Sequence, residues 1–342
     1  MFLRNKTRYR VGLARTFVND ALSVATAVVV SHYRIEPDRL VWLEEPSSRT
    51  AASPPDPLAF PLWKGVSVTA SGYALGPLRA PFIRAITLSV GAEVRRLSVF
   101  GERRWQQGRA GDLVVSEPES FDAIPVVFAR AFGGAYDVPP GLFPGTDLPF
   151  PGLRVAHSSN PSGLGFYETP GAALNCSLPN VESPTALIRV WDDRPEPAGF
   201  APCPELPNLR APTDLAAYRE IAAISRARAK GSWEQSAAEL QFELTLRMIH
   251  HAPGRLIFDK IPRGTVASID GLGDRALCFS VPPSPVRVER HGAKRNVEVP
   301  PVLRAIHVDG DGRIVELVHG HMFYYAPDQA PAWVRVIERG SS

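Results

Sequence analysis

Ala21-Leu-Ser-Val-Ala-Thr-Ala-Val-Val-Val-Ser-His-Tyr-Arg-Ile35 is the stretch of the sequence that decides the fold. Its apolar residues at even positions are Leu22, Val24, Val28 and Val30. A period of two residues is typical of a β-strand with one buried face. Pro37-Asp38 then supplies a turn before the apolar run Leu40-Val-Trp-Leu43. The stretch therefore predicts a β-hairpin.

Similar patterns predict short strands on both sides of the chain's centre. In the first part they lie at 64–75, 82–90, 94–100 and 125–132. After Pro253 they return at 266–269, 276–281, 285–290, 302–308, 314–318 and 322–325. Asp309-Gly-Asp-Gly312 is expected to be a hairpin turn between two of them. The chain is thus predicted to be mainly β, with two β-rich halves arranged as a sandwich or an open barrel-like structure.

The centre of the chain has a different composition. Prolines and glycines crowd residues 139–211, yet Phe143, Phe166 and Trp191 also lie there, and a solvated linker would lack such residues. The segment is therefore predicted to be an ordered belt of packed loops. Apolar residues at helical spacing predict a short helical insert at 212–250.

The expected organisation has four parts. A β-rich half at 1–138 precedes the belt at 139–211, and the insert at 212–250 precedes a β-rich half at 251–342. In an alternative interpretation, the two halves form one compact domain.

Composition narrows the class of protein. Hydrophobic residues make up 44% of the chain and charged residues 21%, which excludes a mainly disordered protein. A net charge of +3 gives no reason to expect nucleic acid or a membrane as partner. The longest apolar stretch, Ala25 to Val30, is far shorter than the roughly 20 residues of a spanning helix. With no signal-peptide pattern and three cysteines without paired spacing, a cytoplasmic protein with reduced thiols is expected.

Catalytic motifs are missing from the sequence. It has no Gly-x-Ser-x-Gly elbow, Walker loop, His-Glu-x-x-His helix or Cys-x-x-Cys pair. Asp309 and Asp311 resemble the start of a calcium loop, but a strand follows them and a turn is favoured. His319 and His321 would point to one face of a strand and could be two ligands of a metal ion. A metal site would also need His250-His251 beside them, and no local pattern brings the two pairs together. We expect no enzymatic activity, cofactor or metal site.

Two weaker patterns leave alternatives open. Gly163-Leu-Gly165 would suit a phosphate loop, but a tight turn held by the Asn160 side chain is favoured. Acidic residues that could provide a carboxylate pair for glycosidic cleavage are Glu117, Glu119, Glu182, Asp192 and Asp193. A carbohydrate-binding or carbohydrate-active β-sandwich is therefore an alternative to a protein-binding module.

Several local strings carry a family resemblance. They are Val99-Phe-Gly-Glu-Arg-Arg-Trp105, Ser116-Glu-Pro-Glu-Ser-Phe121, Arg130-Ala-Phe-Gly-Gly134, Asn160-Pro-Ser-Gly-Leu-Gly-Phe166, Leu178-Pro-Asn-Val-Glu182 and Pro195-Glu-Pro-Ala-Gly-Phe200. Together they resemble bacterial domain-of-unknown-function proteins encoded beside type VI secretion spike and toxin genes. The resemblance extends over roughly residues 15–325 and is strongest from Val99 to Phe200.

The resemblance implies a cytoplasmic adaptor or chaperone that pairs an effector toxin with the secretion spike. That spike consists of a valine-glycine-repeat protein and its proline-alanine-arginine-repeat (PAAR) tip, and a structural role within it is a further alternative. No catalytic residue follows from the resemblance. Residues implied to lock the belt or to bind a partner are Arg130, Phe132, Asn160, Phe166, Asn180, Glu182, Arg194 and Phe200.

Overall fold

A computed structural model defines the path of most of the chain. It describes residues 1–20, 22–37, 39–44, 56–58, 64–76, 83–137, 154–203, 215–230, 235–246, 250–291 and 296–339. Within these ranges the chain is mainly β, which confirms the predicted fold class.

Short strands make up most of the described elements. In chain order they are β1 (Phe2–Lys6), β2 (Arg10–Asn19), β3 (Leu22–Glu36), β4 (Arg39–Leu43), β5 (Val66–Ser71), β6 (Tyr73–Leu75), β7 (Ile83–Val90), β8 (Glu93–Phe100), β9 (Trp105–Gln107), β10 (Leu113–Val115), β11 (Ala123–Pro125), β12 (Phe132–Gly133), β13 (Ala135–Asp137), β14 (Arg154–Ala156), β15 (Leu164–Gly165), β16 (Val181–Glu182), β17 (Ile257–Phe258), β18 (Val266–Asp270), β19 (Leu277–Ser280), β20 (Val286–His291), β21 (Asn296–Val299), β22 (Val302–Asp309), β23 (Ile314–Tyr325) and β24 (Trp333–Glu338). The described α-helices are α1 (Pro170–Ala173), α2 (Leu215–Ala229) and α3 (Gln235–Leu246). Single 3-10 turns lie at Phe128–Arg130, Gly254–Leu256 and Pro327–Gln329.

Three larger sheets organise these strands. The main sheet has the order β17-β5-β22-β23-β3-β2, with β4 also paired to β3. The second sheet has the order β16-β8-β7-β18-β19, and the third has the order β1-β24-β20-β21. Both predicted halves contribute strands to each of these sheets. For example, β5 runs parallel to β22, β7 pairs with β18, and β1 runs parallel to β24.

Strand β3 connects the hydrophobic cores because it is long and covered on both faces. On one face, Ala25 and Val29 pack with the third sheet, while Tyr33 and Ile35 contribute to the core shared with the second sheet. That shared core is filled from both sheets, as in a β-sandwich. Its fully buried side chains include Val68, Ile86, Leu97, Ile269, Ile306 and Leu317.

The opposite face of β3 is also buried, so the prediction of a single buried face is wrong. Val24 packs there with Phe242 and Leu246 of α3, and Val28 packs with Leu58. On the other face, positions 25, 27 and 29 carry Ala, Ala and Val, which are small enough for a second layer to approach. The predicted hairpin of β3 with β4 is confirmed by their antiparallel register.

Most of the predicted strands and the helical insert are confirmed, with two corrections. The expected strand at 125–132 is wrong, because local hydrogen bonds such as Ala131 N–H to Phe128 O (3.0 Å) form a 3-10 turn. The separate strands expected at 314–318 and 322–325 are one strand, since β23 pairs with β3 without interruption. Residues 138–153 and 204–214, which include the two ends of the predicted belt, lie outside the described residues.

The predicted turn between β22 and β23 is confirmed. Oδ1 of Asp309 accepts hydrogen bonds from the backbone N–H of Asp311 (3.1 Å) and of Gly312 (3.0 Å). Oδ1 of Asp311 accepts one from the N–H of Tyr73 (3.1 Å). Both aspartates are thus used by the turn. Among the helices formed by the described residues, none combines the length and the apolar character needed to cross a bilayer.

Removal of a core leucine tests the packing of the main and second sheets. Leu317 is 0% exposed, so Leu317→Ala leaves a cavity and is expected to lower the free energy of unfolding by about 2–5 kcal/mol. Leu240→Ala makes the same change at a side chain that is 43% exposed, and its effect is expected to be within about 0.5 kcal/mol. Urea denaturation measures both variants. Equal losses would contradict the placement of Leu317 in the core.

A buried histidine on β23 makes stability depend on pH. Burial, with a smaller effect of the Arg339 charge, lowers the pKa of His319 to about 4. An unfolded histidine titrates near pH 6.5, so the unfolded state binds more protons between these values and stability falls as pH falls through them. From pH 7 to pH 4.5 this residue is expected to cost the fold roughly 2–3 kcal/mol.

Urea denaturation at each pH checks this expectation. His319→Gln should lose less stability on acidification than the parent protein, by about that amount. His291→Gln, at an exposed histidine of β20, is the control and should follow the parent. If the His319 variant showed the same pH dependence as the parent, the buried neutral imidazole would be excluded.

Candidate protein-binding surface

The described part of the belt, residues 154–203, has its own hydrophobic core. We call the following residues the belt core: Trp105, Phe132, Ala173, Leu178 and Ile188. All five are buried, and Trp105 and Leu178 are at most 1% exposed. Half-buried Phe166, Tyr167 and Trp191 pack around them. The belt is therefore a packed layer of loops, as predicted, at least where the structure describes it.

A buried ion pair joins the belt to the segment after β8. Arg103 and Glu182 form it through Nη2 and Oε1, with side chains 6% and 1% exposed. The other carboxylate oxygen of Glu182 accepts a hydrogen bond from the N–H of Ile188 (2.9 Å). The Arg103 guanidinium also donates to Pro179 O (2.6 Å) and lies 3.9 Å from the ring centroid of Phe100. Each charge thereby has partners that fix the belt in place, while Nε of Arg103 is buried without a hydrogen-bond partner among the described residues.

The electrostatics of Glu182 follow from its burial. Loss of solvent raises the pKa of its carboxyl, while the charge of Arg103 and the hydrogen bonds from Arg103 and Ile188 oppose that rise. The carboxylate is therefore held in place by Arg103 and would be poorly tolerated without it.

Asn160 holds a second junction of the belt. Its side-chain amide donates to Phe128 O (2.8 Å) and to Phe132 O (2.9 Å), and the residue is fully buried. The chain passes so close that a Cβ on Gly133 would lie 2.1 Å from Asn160 O, and Gly133 has a φ of +143°. Glycine is required there for both reasons. The Asn160 side chain thus holds the 128–132 segment and not the Gly163-Leu-Gly165 turn as predicted, since at that turn only the backbone oxygen of Asn160 accepts a bond, from Gly163 N–H (3.3 Å).

Asn180 forms the third junction. Its side-chain amide donates to Phe100 O (3.2 Å), and its Oδ1 accepts from Nη1 of Arg130 (3.0 Å). The same Nη1 donates to Oε1 of Glu102 (2.8 Å). Backbone hydrogen bonds from Phe100 N–H to Asn180 O and from Asn180 N–H to Arg130 O complete the junction. Three segments distant in the sequence are therefore tied together at one residue.

Above these junctions the belt presents a group of half-exposed rings with one arginine. We call Tyr136, Phe166, Trp191 and Arg194 the aromatic patch. The rings of Tyr136 and Phe166 have centroids 5.5 Å apart. Cζ of Arg194 lies 5.4 Å from the Phe166 centroid and 5.9 Å from that of Trp191. Val190, beside them in sequence, is 50% exposed.

Hydrogen bonds and ring contacts make the aromatic patch rigid. The Arg194 guanidinium donates to the backbone oxygens of Tyr167 (2.7 Å), Trp191 (3.1 Å) and Asp193 (3.0 Å). Phe166 contacts His157 (5.5 Å between centroids), which contacts buried Phe132 (5.3 Å). The surface rings are thus continuous with the belt core.

The structure places the predicted residues in two groups. The first group forms the bonds and packing of the framework: Phe132, Asn160, Asn180, Glu182 and Phe200, which are buried, and Arg130, whose side chain is 39% exposed. Phe200 belongs to the core between the main and second sheets, and its carbonyl accepts a hydrogen bond from Ala70 N–H (2.7 Å). Phe166 and Arg194 lie at the surface.

Sequence reasoning missed three residues of this site. Arg103 lies in one of the resemblance strings but was not among the predicted site residues. Glu182 was predicted as a site residue without this partner. Tyr136 and Trp191 had no signal beyond their aromatic character. Their positions depend on tertiary contacts between loops, which no local pattern encodes.

Several of the chemistry-bearing residues weighed in the sequence have structural partners. Glu182 is in the ion pair, and Oδ2 of Asp193 accepts from the N–H groups of Arg189 (2.7 Å) and Val190 (3.0 Å). Nδ1 of His250 bonds to the Ser67 hydroxyl (2.8 Å). Within the described ranges no group of three His, Cys, Asp or Glu side chains is placed to hold a metal ion. The three cysteines are free thiols.

The fold and the site define a mainly β protein that presents a rigid, aromatic loop surface. Its family is now identified from the sequence match: residues 22–319 match the model of a family described as "Uncharacterized protein conserved in bacteria (DUF2169)", and the chain belongs to this bacterial family. No curated protein and no solved structure matches the chain.

The buried ion pair gives a test of how the belt is held. Arg103→Met leaves the Glu182 carboxylate buried without its cation and is expected to destabilise the protein by about 3–5 kcal/mol. Arg39→Met, which removes a surface pair with Glu36, should cost less than about 1 kcal/mol. Urea denaturation compares the two variants.

A double variant separates the ion pair from simple packing. Arg103→Met with Glu182→Met removes both charges, and much of the stability lost in the single variant should return. If the double variant were less stable than Arg103→Met by a further few kcal/mol, the buried charge would not be the cause of the loss.

Proposed function

We propose that this protein is an adaptor that binds an effector toxin and loads it onto the spike of a bacterial type VI secretion system. Its partners are the effector and the spike proteins, namely the valine-glycine-repeat protein and its PAAR tip. It acts in the cytoplasm of the producing cell, before secretion, without an enzymatic step. The observation that carries the proposal is the aromatic patch on the belt.

The composition of the patch supports binding to a protein. Tyrosine, tryptophan and arginine are the residues that contribute most often to the binding energy of protein interfaces. Here Tyr136, Trp191 and Arg194 lie together, and the side chains are half-exposed or exposed. The belt core and the three junctions hold them before any partner arrives. A preformed surface loses little conformational entropy on binding.

The position of the resemblance strings agrees with this role. Asn160, Asn180 and Glu182, which come from those strings, hold the loops that display the patch. A family can keep this framework while the exposed side chains differ from member to member. Such a division suits adaptors that share one scaffold and bind different effectors.

The proposal predicts which substitutions weaken effector binding. Trp191→Ala and Arg194→Ala are each expected to raise the Kd for the effector at least tenfold, because they remove central contacts of the patch. Co-expression with the toxin encoded beside the secretion spike gene shows whether a complex forms. Titration calorimetry then measures the Kd of the parent protein and of each variant for the effector. Phe17→Ala, at a side chain that is 65% exposed on β2, is the control and should bind as the parent does.

Three outcomes distinguish the possibilities. Loss of binding in the patch variants alone supports the proposal. If a complex formed but Trp191→Ala and Arg194→Ala left its Kd unchanged, the adaptor role would stand and the patch would be excluded. If no complex formed with effector or spike and the protein bound or hydrolysed glycans, the carbohydrate alternative would replace the proposal.

A further inference from the structure

A second site lies away from the belt, at one end of the main sheet. It is a cleft of about 490 Å³, within the usual range of small-molecule pockets. Its charged lining consists of Lys260, Arg263, Arg304 and Arg339, with Asp259 as the single acidic residue. Among the described residues, Lys260, Arg263 and Arg339 form no ion pair. The cleft therefore carries an excess of positive charge.

A β-bulge places one of these cations. The register of β22 with β23 shifts between Leu303 and Ala305, so that Arg304 is the extra residue on its strand. Bulges redirect side chains and are frequent beside functional sites. Arg304 lies across Gly320 of β23, with its Cγ 3.2 Å from where a Cβ on that glycine would be. Burial lowers the pKa of Arg304. Since successive residues of a strand point to opposite faces, the Arg304 side chain lies over the face of β23 opposite to that of His319.

A buried histidine forms part of the cleft lining. His319 is 2% exposed, and its Nδ1 has no hydrogen-bond partner within the described residues. Buried polar atoms are nearly always paired, so such an atom in a cleft lining indicates a missing partner. The positive charge of Arg339 acts on the same ring. An anionic group in the cleft would pair with Arg339 and accept a hydrogen bond from the imidazole.

The walls of the cleft limit what can bind there. Pro282, Pro283, Pro300 and Pro301 line it, and proline has no backbone N–H to donate. An extended peptide would find few backbone partners for its carbonyl oxygens. Carboxylate or phosphate oxygens would instead be bound by guanidinium and ammonium groups, which form strong charge-assisted hydrogen bonds.

From these observations we propose that the cleft binds a small organic oxyanion that carries two or three negative charges, as polycarboxylates and phosphate esters do. The ligand lies between the proline walls, with its charged oxygens towards Arg339 and the His319 imidazole. Lys260 and Arg263 lie at the mouth of the cleft and neutralise the negative charge on the part of the ligand that faces solvent. The site is separate from the aromatic patch and does not depend on the adaptor role.

Calorimetry of the whole chain at low ionic strength tests the proposal with citrate and with pyrophosphate as probes. Saturable binding of one anion per chain is expected, with a Kd below about 1 mM. Arg263→Gln and Arg339→Gln should each weaken binding roughly tenfold, the usual effect of losing a charge-assisted contact. Arg96→Gln, at an exposed arginine on β8, removes the same charge elsewhere and should leave the Kd unchanged.

Two further measurements keep the test decisive. NMR of the imidazole nitrogens should show a shift of the His319 signals when the anion binds, and no shift for His291. Thermal unfolding identifies any variant that fails to fold, and exposed Arg263 is the position where misfolding is least expected. Preference for citrate over pyrophosphate, or the reverse, assigns the source as carboxylate or phosphate.

Two kinds of result would contradict the proposal of an anion site in the cleft. Absence of saturable binding for both probes, or equal weakening in Arg96→Gln, would exclude a built site. Tighter binding of a hexaglutamate peptide than of either small anion would replace the small ligand with an acidic protein segment. Failure here leaves effector binding by the patch untouched, so the two proposals are distinguished.

Discussion

The structure depends on the need to cover one strand on both faces. Strand β3 has a continuous buried stretch from residue 23 to residue 33, which must be shielded by separate layers of the molecule. The second and third sheets provide one layer, and α3 with Leu58 provides part of the other. Because one strand contributes to several cores, a change in its register would disturb all of them. This shared burial explains why strands from distant parts of the sequence meet around β3.

Local patterns predicted much of the fold, because strand alternation and turn residues act over a few positions. The hairpin of β3 and β4, the turn at Asp309 and both longer helices were recognised in this way. The second buried face of β3 was missed, since its alanines are compatible with either exposure or close packing. The 3-10 turn at Phe128–Arg130 was also missed, because its short apolar run resembles a strand. Which sheet packs on which face depends on contacts between distant residues, and these have no local signature.

The candidate site shows a similar division between what is local and what is not. Asn160, Asn180 and Glu182 were recognised as important residue types, and their bonds explain how they hold the loops. The surface that they support was only partly recognised, because exposure is a property of the folded loops. Polar residues thus fix the belt from inside, while aromatic residues and Arg194 face outward. The residues that carry the family resemblance most strongly are mainly those of the framework.

The parallel pairing of β1 with β24 has a consequence for how the protein folds. Phe2–Lys6 pairs with Trp333–Glu338, and β23 is inserted between β22 and β3. The strand at residues 2–6 is therefore made long before its partner at residues 333–338. Such long-range pairing implies slow folding and a nascent chain with unpaired strand edges. Until residues 333–338 are made, β1 has no partner in its sheet, and any change that disrupts β24 would leave β1 unpaired.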